Sequence, residues 1–250
     1  MTTAEWERPD GRTELQQAEA HIWRILLDGN DSPALFNSLS DDERARAGRF
    51  YAPAHAARYT VAHGILRRIL SRYTGTRPDL LQFETGEHGK PYLSRVDTGS
   101  EPAIYFNLSH SADIALVAVS ATGEIGVDVE FWREDVRHLE IADRFFSVAE
   151  RVALRALESN AQQLMQGFFS GWSRKEAYIK ASGLGIARGL EHFDVSLEPA
   201  APATILQDRH DAHAAARWAM VNIDVGLGYS AAIVATAPLQ VVRQYDAATI

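Results

Sequence analysis

Apolar residues at Val61, Ala62, Ile65, Leu66, Ile69, Leu70 and Tyr73 recur with helical spacing. They predict a helix that Pro53 opens in its first turn. That phase leaves Arg58, Arg67, Arg68 and Arg72 outside the apolar stripe, where they would face water or a ligand. Ser40 to Glu43 reads as a capping box opening a shorter helix ahead of it, and residues 1–13 read as a polar, loose tail. After Gly75 the period changes: LLQFE, GEHGKPYL, AIYFNLSHS, IALVAVSA and EIGVDVE are short segments divided by turn residues. Helical spacing returns at a second capping box, Ser147 to Glu150, with a helix to about Glu158 and a longer one from about Ala161 to Ala181. Four strands are then predicted in FDVSL, ATILQ, RWAMVNIDV and GYSAAIVATA.

Helices followed by strands therefore occur twice, which predicts an α+β fold of two similar units, residues 1–122 and 123–250, rather than a doubly wound parallel sheet. FNLSHSADIALVAVSATG in the first half is echoed by VGLGYSAAIVATAP in the second. The echo is short, and either duplication or chance similarity of two strands would produce it.

Composition narrows the function classes. There is no cysteine, which removes disulfides, thiolate metal sites and Cys nucleophiles together. No apolar run spans a membrane and no secretory leader is readable, so a cytoplasmic protein is expected. The net charge of -8 argues against a nucleic-acid binder. It conceals the stretch from Arg44 to Pro78, which has eight arginines and no acid and would attract a phosphate-rich ligand or an acidic partner, unless it is simply a solvated helix face. Lysine is scarce: of 25 basic residues only Lys90, Lys175 and Lys180 are lysine.

In GVDVE a strand would project Asp128 and Glu130 from one face and Val127 and Val129 from the other. Two adjacent carboxylates repel unless water, a proton or a cation separates them. On the later helix, Leu164, Met165, Phe168, Phe169, Trp172 and Ile179 form the apolar stripe, and Glu176 falls on it. A glutamate there needs a partner. Lys180, four residues on, can supply one as a salt bridge; alternatively Glu176 meets Asp128 and Glu130, and three carboxylates make a hard oxygen set suited to Mg²⁺. NLSHS closes a strand with Asn, Ser, His and Ser, each able to bond a phosphate oxygen. The nucleotide-cradling loops GxxxxGK[ST] and GxGxxG are absent, as is the GxSxG of a serine hydrolase.

GKP at 89–91, FNLSHS at 106–111, GVDVE at 126–130, RFFSVAE at 144–150 and WSRKEAYIK at 172–180, in that order, resemble the 4'-phosphopantetheinyl transferases of the Sfp type. The resemblance covers residues 40–185, and GVDVE followed by WSRKEAYIK is highly specific in combination. It implies two α/β subdomains related by a pseudo-two-fold with the active site in the cleft between them, and a monomer. It also implies transfer of the phosphopantetheine arm of coenzyme A to a serine of an apo acyl or peptidyl carrier protein, with release of adenosine 3',5'-bisphosphate. Carried over by motif, Asp128, Glu130 and Glu176 would hold Mg²⁺, Glu176 would act as base, and Lys180 would neutralise the transferring phosphate. Lys90, Pro91, Ser109, His110 and Lys175 would contact coenzyme A, and Arg46 and Arg58 its 3'-phosphate or adenine. The chain departs from the family at Glu43, where some relatives carry lysine. The carrier protein would dock against GLGIARGL, residues 183–190. Two rival readings are a Mg²⁺-dependent phosphodiesterase built on the same acids and a non-catalytic module that binds coenzyme A or a carrier protein.

Overall fold

In the computed structural model, residues 6–8, 13–29, 33–94, 103–185 and 189–249 are described. Most of the expected amino-terminal tail, residues 1–5 and 9–12, and residues 186–188 of the GLGIARGL segment lie outside them. The chain opens with β1 (Glu19–Leu26) and helices α1 (Pro33–Ser38), α2 (Asp41–Ala47) and α3 (Pro53–Thr74). Strands β2 (Phe83–Thr85), β3 (Pro91–Leu93), β4 (Tyr105–Ser111), β5 (Ile114–Ser120) and β6 (Ile125–Phe131) follow, then α4 (His138–Phe145), α5 (Val148–Arg155) and α6 (Ala161–Ser182). The remainder is β7 (Phe193–Val195), β8 (Ile205–Asp208), α7 (Ala214–Arg217), β9 (Trp218–Asn222), β10 (Tyr229–Thr236) and β11 (Val241–Asp246).

Local signals act as expected. Ser40 accepts from the Glu43 amide while Glu43 accepts from Ser40 N, and Ser147 and Glu150 do the same at α5. Pro53 opens α3, and the α3 and α6 helices each end on a glycine in the left-handed region, Gly75 and Gly183.

The two main sheets run β11-β1-β5-β4 and β6-β10-β9. Ile22, Leu116, Ala118, Val127, Val129 and Ile233 fill the space between them. The other face of the first sheet is covered by the predicted stripe of α3, with Val61, Ile65 and Ile69 packed on Trp23 and Val117. The other face of the second is covered by α6, through Ala177, Tyr178 and Ala181 against Ala232 and Val234. The result is a mixed α/β arrangement of four layers: helix, sheet, sheet, helix. A strand (β1 or β6), a helix of 22 residues (α3 or α6) and two antiparallel strands (β4 and β5, or β9 and β10) recur in that order in each half, with β5 and β10 interior to their sheets, and the second half then adds β11. The echoed stretches both end in such a strand, β5 and β10.

Several features differ from what the sequence predicts. β1 and β11 were not expected as strands, and they pair with one another in parallel, Glu19 opposite Val241. The first sheet therefore borrows a strand from the second half, and residues 122 and 123 lie between β5 and β6. Arg67 is not on the surface: it is 2% exposed, and its guanidinium donates to Glu43, Pro78 O and Leu81 O. Those partners come from segments far along the chain, which the helical phase of α3 does not encode. Among the described residues no helix is long and apolar enough to cross a membrane.

Candidate active site

β4 and β6 are edge strands of different sheets, and they face each other without sharing a backbone ladder. Side chains join them instead. Asn107 Oδ1 accepts from Val127 N at 2.9 Å, Ser109 Oγ donates to Asp128 Oδ1 at 2.8 Å, and Ser111 Oγ lies 3.3 Å from Glu130 Oε2 while accepting from Phe131 N. Residues 107, 109 and 111 share one face of a strand, so NLSHS splits by parity. Asn107 is 5% exposed and its Oδ1 is committed to β6, while the residue also borders the cleft that Glu176 and Lys180 line. His110, on the opposite face, lines a cavity.

Helix α6 lies directly on β6 because residue 126 is glycine. A Cβ there would sit 2.2 Å from Ala177 O and 2.4 Å from Ala181 N. This close approach brings Lys180 Nζ to 2.6 Å from Asp128 Oδ1 and 3.1 Å from Ser109 Oγ. The lysine thus pairs with Asp128 across elements instead of with Glu176 along its own helix, correcting the simpler salt-bridge expectation.

The three acids share one electrostatic environment. Burial pushes Asp128 up, with Lys180 and Ser109 opposing; burial and the charge of Asp128 push Glu130 up to about 7 and also raise Glu176. Each acid is therefore held in a place where its negative charge is poorly solvated, the condition a cation would relieve. Asp128 Oδ2 is buried without a hydrogen-bond partner. Among the described residues, however, no three acid or histidine groups stand close enough to form a ready-made metal cage. The donor set is hard oxygen with one orphaned lone-pair site, which fits Mg²⁺ with water and phosphate oxygens completing the shell.

Two openings flank these groups. A cleft of about 370 Å³ is lined by Glu176 and Lys180 on one side and by Lys90 and Pro91 of the GKP turn on the other. Lys90 Nζ is held there by Glu124 at 2.5 Å and Ile125 O at 3.0 Å. A second cavity of about 340 Å³ is lined by Phe50, Arg58, Tyr59, His63 and His110, and the Arg46 guanidinium lies over the Tyr59 ring. Burial, followed by the charges of His63, Lys180 and Arg58, pushes His110 down, with the charge of Asp128 opposing.

Glu43 does not intrude on this cavity as a free acid. It accepts from Arg67 at 2.6 Å and stands 3.5 Å from His63 Nδ1. Although burial alone would raise it, bonds from His63, Ser40 and Arg67 draw it down to about 2. His63 and Tyr59, stacked at 4.1 Å between centroids, escaped the sequence reading; their i and i+4 spacing with the apolar stripe was the available signal.

One expected coenzyme contact is overturned. Lys175 is fully buried: its ammonium lies 2.8 Å from Glu150 Oε2 and donates to Leu190 O and Phe193 O. A lysine enclosed this way holds α5, α6 and β7 together and has no donor left for a ligand.

Comparison with known proteins agrees with the motifs. Residues 124–236 match the model of the 4'-phosphopantetheinyl transferase superfamily, and residues 30–122 match that of the 4'-phosphopantetheinyl transferase N-terminal region. The chain is 44% identical over 189 residues to the 4'-phosphopantetheinyl transferase HetI of Nostoc sp., covering 75% of this chain and 78% of that protein. It is 29% identical over 212 residues to the 4'-phosphopantetheinyl transferase Sfp of Bacillus subtilis, covering 85% and 88%. With the human L-aminoadipate-semialdehyde dehydrogenase-phosphopantetheinyl transferase it shares 25% identity over 167 residues, 65% of this chain and 54% of that one.

Proposed function

The chain belongs to the 4'-phosphopantetheinyl transferase superfamily and is an enzyme of that activity; from this premise we propose how its own residues carry the transfer. The substrates are coenzyme A and the serine of an apo acyl or peptidyl carrier protein. The serine oxygen forms a bond to the β-phosphorus as the bond from that phosphorus to the bridging oxygen breaks, and adenosine 3',5'-bisphosphate departs. Glu176 takes the serine proton, and the raised affinity of its carboxylate for a proton suits that task. Lys180 faces the charge that develops on the transferring phosphate. Asp128, Glu130 and Glu176 would hold Mg²⁺, which when bound supplies charge neutralisation to the diphosphate. Lys90 and Pro91 border the arm, while His110, Arg58 and Arg46 border the nucleotide end with its 3'-phosphate.

The observation that carries this reading is the contact of Lys180 with Asp128 and Ser109, because it assembles a cation, an acid with a free oxygen and a hydroxyl from three separate elements behind the cleft that Lys180 and Glu176 line. The matched order β1-β5-β4 and β6-β10-β9, each backed by a 22-residue helix, supports two subdomains related by a pseudo-two-fold. The test is intact mass of a panel of apo carriers after incubation with the protein, coenzyme A and Mg²⁺. Carriers gaining one phosphopantetheine group support the reading. Unmodified carriers throughout, with coenzyme A still bound, would instead favour a binding module.

A further inference from the structure

Arg58 reaches the nucleotide cavity from α3, and the residue that governs it stands on another element. Asp28 follows β1, one residue after Leu27, which itself lines the cavity. Asp28 Oδ1 accepts from Arg58 Nε at 2.8 Å and Oδ2 accepts from Nη2 at 2.9 Å. This is the paired fork geometry by which a carboxylate fixes both the position and the plane of a guanidinium. It engages the side of the group and leaves Nη1 outside the pair. The turn that carries Asp28 is itself tied down, because Leu27 N donates to Asp113 O.

An arginine has many rotamers, and an unrestrained one would lose that freedom each time a ligand arrived. An acid that sets the guanidinium in advance removes that loss, provided that the ligand uses the remaining donors. The two side chains are 63% and 37% exposed, so neither is needed to fill the core. A purely structural role is poorly served by a pair that solvent reaches so freely.

We propose that Asp28 is a positioning residue that holds Arg58 for the 3'-phosphate of coenzyme A and so sets the preference for coenzyme A over its 3'-dephospho form. The inference rests on the reading that this cavity takes the nucleotide end of coenzyme A.

The test compares binding of coenzyme A and 3'-dephospho-coenzyme A by calorimetry in wild type, Asp28→Ala, Asp28→Asn, Arg58→Ala and the double variant. Asp28→Ala is expected to weaken coenzyme A about fivefold while leaving the dephospho form within about twofold. Asp28→Asn, which keeps the shape and loses the charge, should fall between it and wild type. The double variant should bind no worse than Arg58→Ala alone, as two residues acting through one contact do. Turnover of Asp28→Ala at saturating coenzyme A should stay within about twofold, placing its effect in substrate affinity. If Asp28→Ala binds coenzyme A as well as or better than wild type, the acid is idle or competes with the phosphate, and the proposal fails. If Arg58→Ala weakens coenzyme A more than the dephospho form and Asp28→Ala does not, only the role of Asp28 falls. If Arg58→Ala leaves the preference for coenzyme A over the dephospho form unchanged, the nucleotide reading of the cavity falls and this inference with it.

Discussion

Lys180 Nζ stands 2.6 Å from Asp128 Oδ1, and Asp128 is only 3% exposed. The lysine is therefore both the countercharge of a buried acid and a group facing the cleft. These roles separate by substitution. Lys180→Met should lower transfer by roughly 100- to 1000-fold and should also lower the melting temperature, because a buried carboxylate loses its partner. Adding Asp128→Asn should recover much of the melting temperature and none of the activity. Thermal melts alongside transfer assays decide it: a double variant as unstable as the single one would show that the lost stability does not come from stranding the Asp128 carboxylate.

Glu176 should be separable from substrate binding. Glu176→Gln keeps the shape of the side chain and removes its ability to accept a proton, so transfer should fall at least 100-fold with coenzyme A affinity little changed. Chelation of divalent ions should abolish transfer in the wild type, and added Mg²⁺ should restore it. Near-normal turnover by Glu176→Gln would show that the base has been misassigned.

Gly126→Ala is predicted to be far more damaging than its one added methyl suggests. The new Cβ meets the backbone of α6 at Ala177 and Ala181, which cannot yield as a flexible side chain would. Overpacking of this kind costs about 1–3 kcal/mol or more, and any relief must lift α6 from β6, taking Glu176 and Lys180 with it. Denaturant melts should show lost stability, and the folded fraction should have reduced turnover per molecule. Full specific activity in that fraction would mean that α6 does not depend on this approach.

The acid limb of stability should carry the mark of Glu43. Its folded pKa of about 2 lies below the ordinary 4.5, so its contribution is present above about 4.5 and is lost as the pH falls toward 2. The depression corresponds to roughly 2–3 kcal/mol once partial exposure is allowed for. Glu43→Gln should be less stable than wild type at pH 6, and the gap should shrink steadily between about pH 4.5 and pH 2. Urea melts across that range provide the measurement, and a gap that stays constant would contradict the assignment.

Much of this site was readable because period and spacing encode it. The stripe of α3, both capping boxes, and the projection of Asp128 and Glu130 from one face of β6 follow from residues close together in sequence. What escaped depends on distant partners. Lys175 and Glu176 are neighbours in sequence, yet one is sealed against Glu150 and the other borders the cleft, because successive helical residues point about 100° apart and nothing local says which neighbour each will meet. Lys180 chose Asp128, some fifty residues back in sequence, over the acid one turn away. Asn107 and Ser111 looked like ligand groups and also serve as rungs between two sheets, a role that exists only once both edges are in place.

The pairing of β1 with β11 has a consequence for how the protein is made. Glu19 emerges from the ribosome early, and Val241, its neighbour in the sheet, emerges only after the whole second half has been synthesised. Until then β1 presents an open edge able to pair with whatever strand arrives first. Residues 1–122 expressed alone would keep that edge open permanently. The first sheet is therefore completed only when β11 returns from the second half to pair with β1.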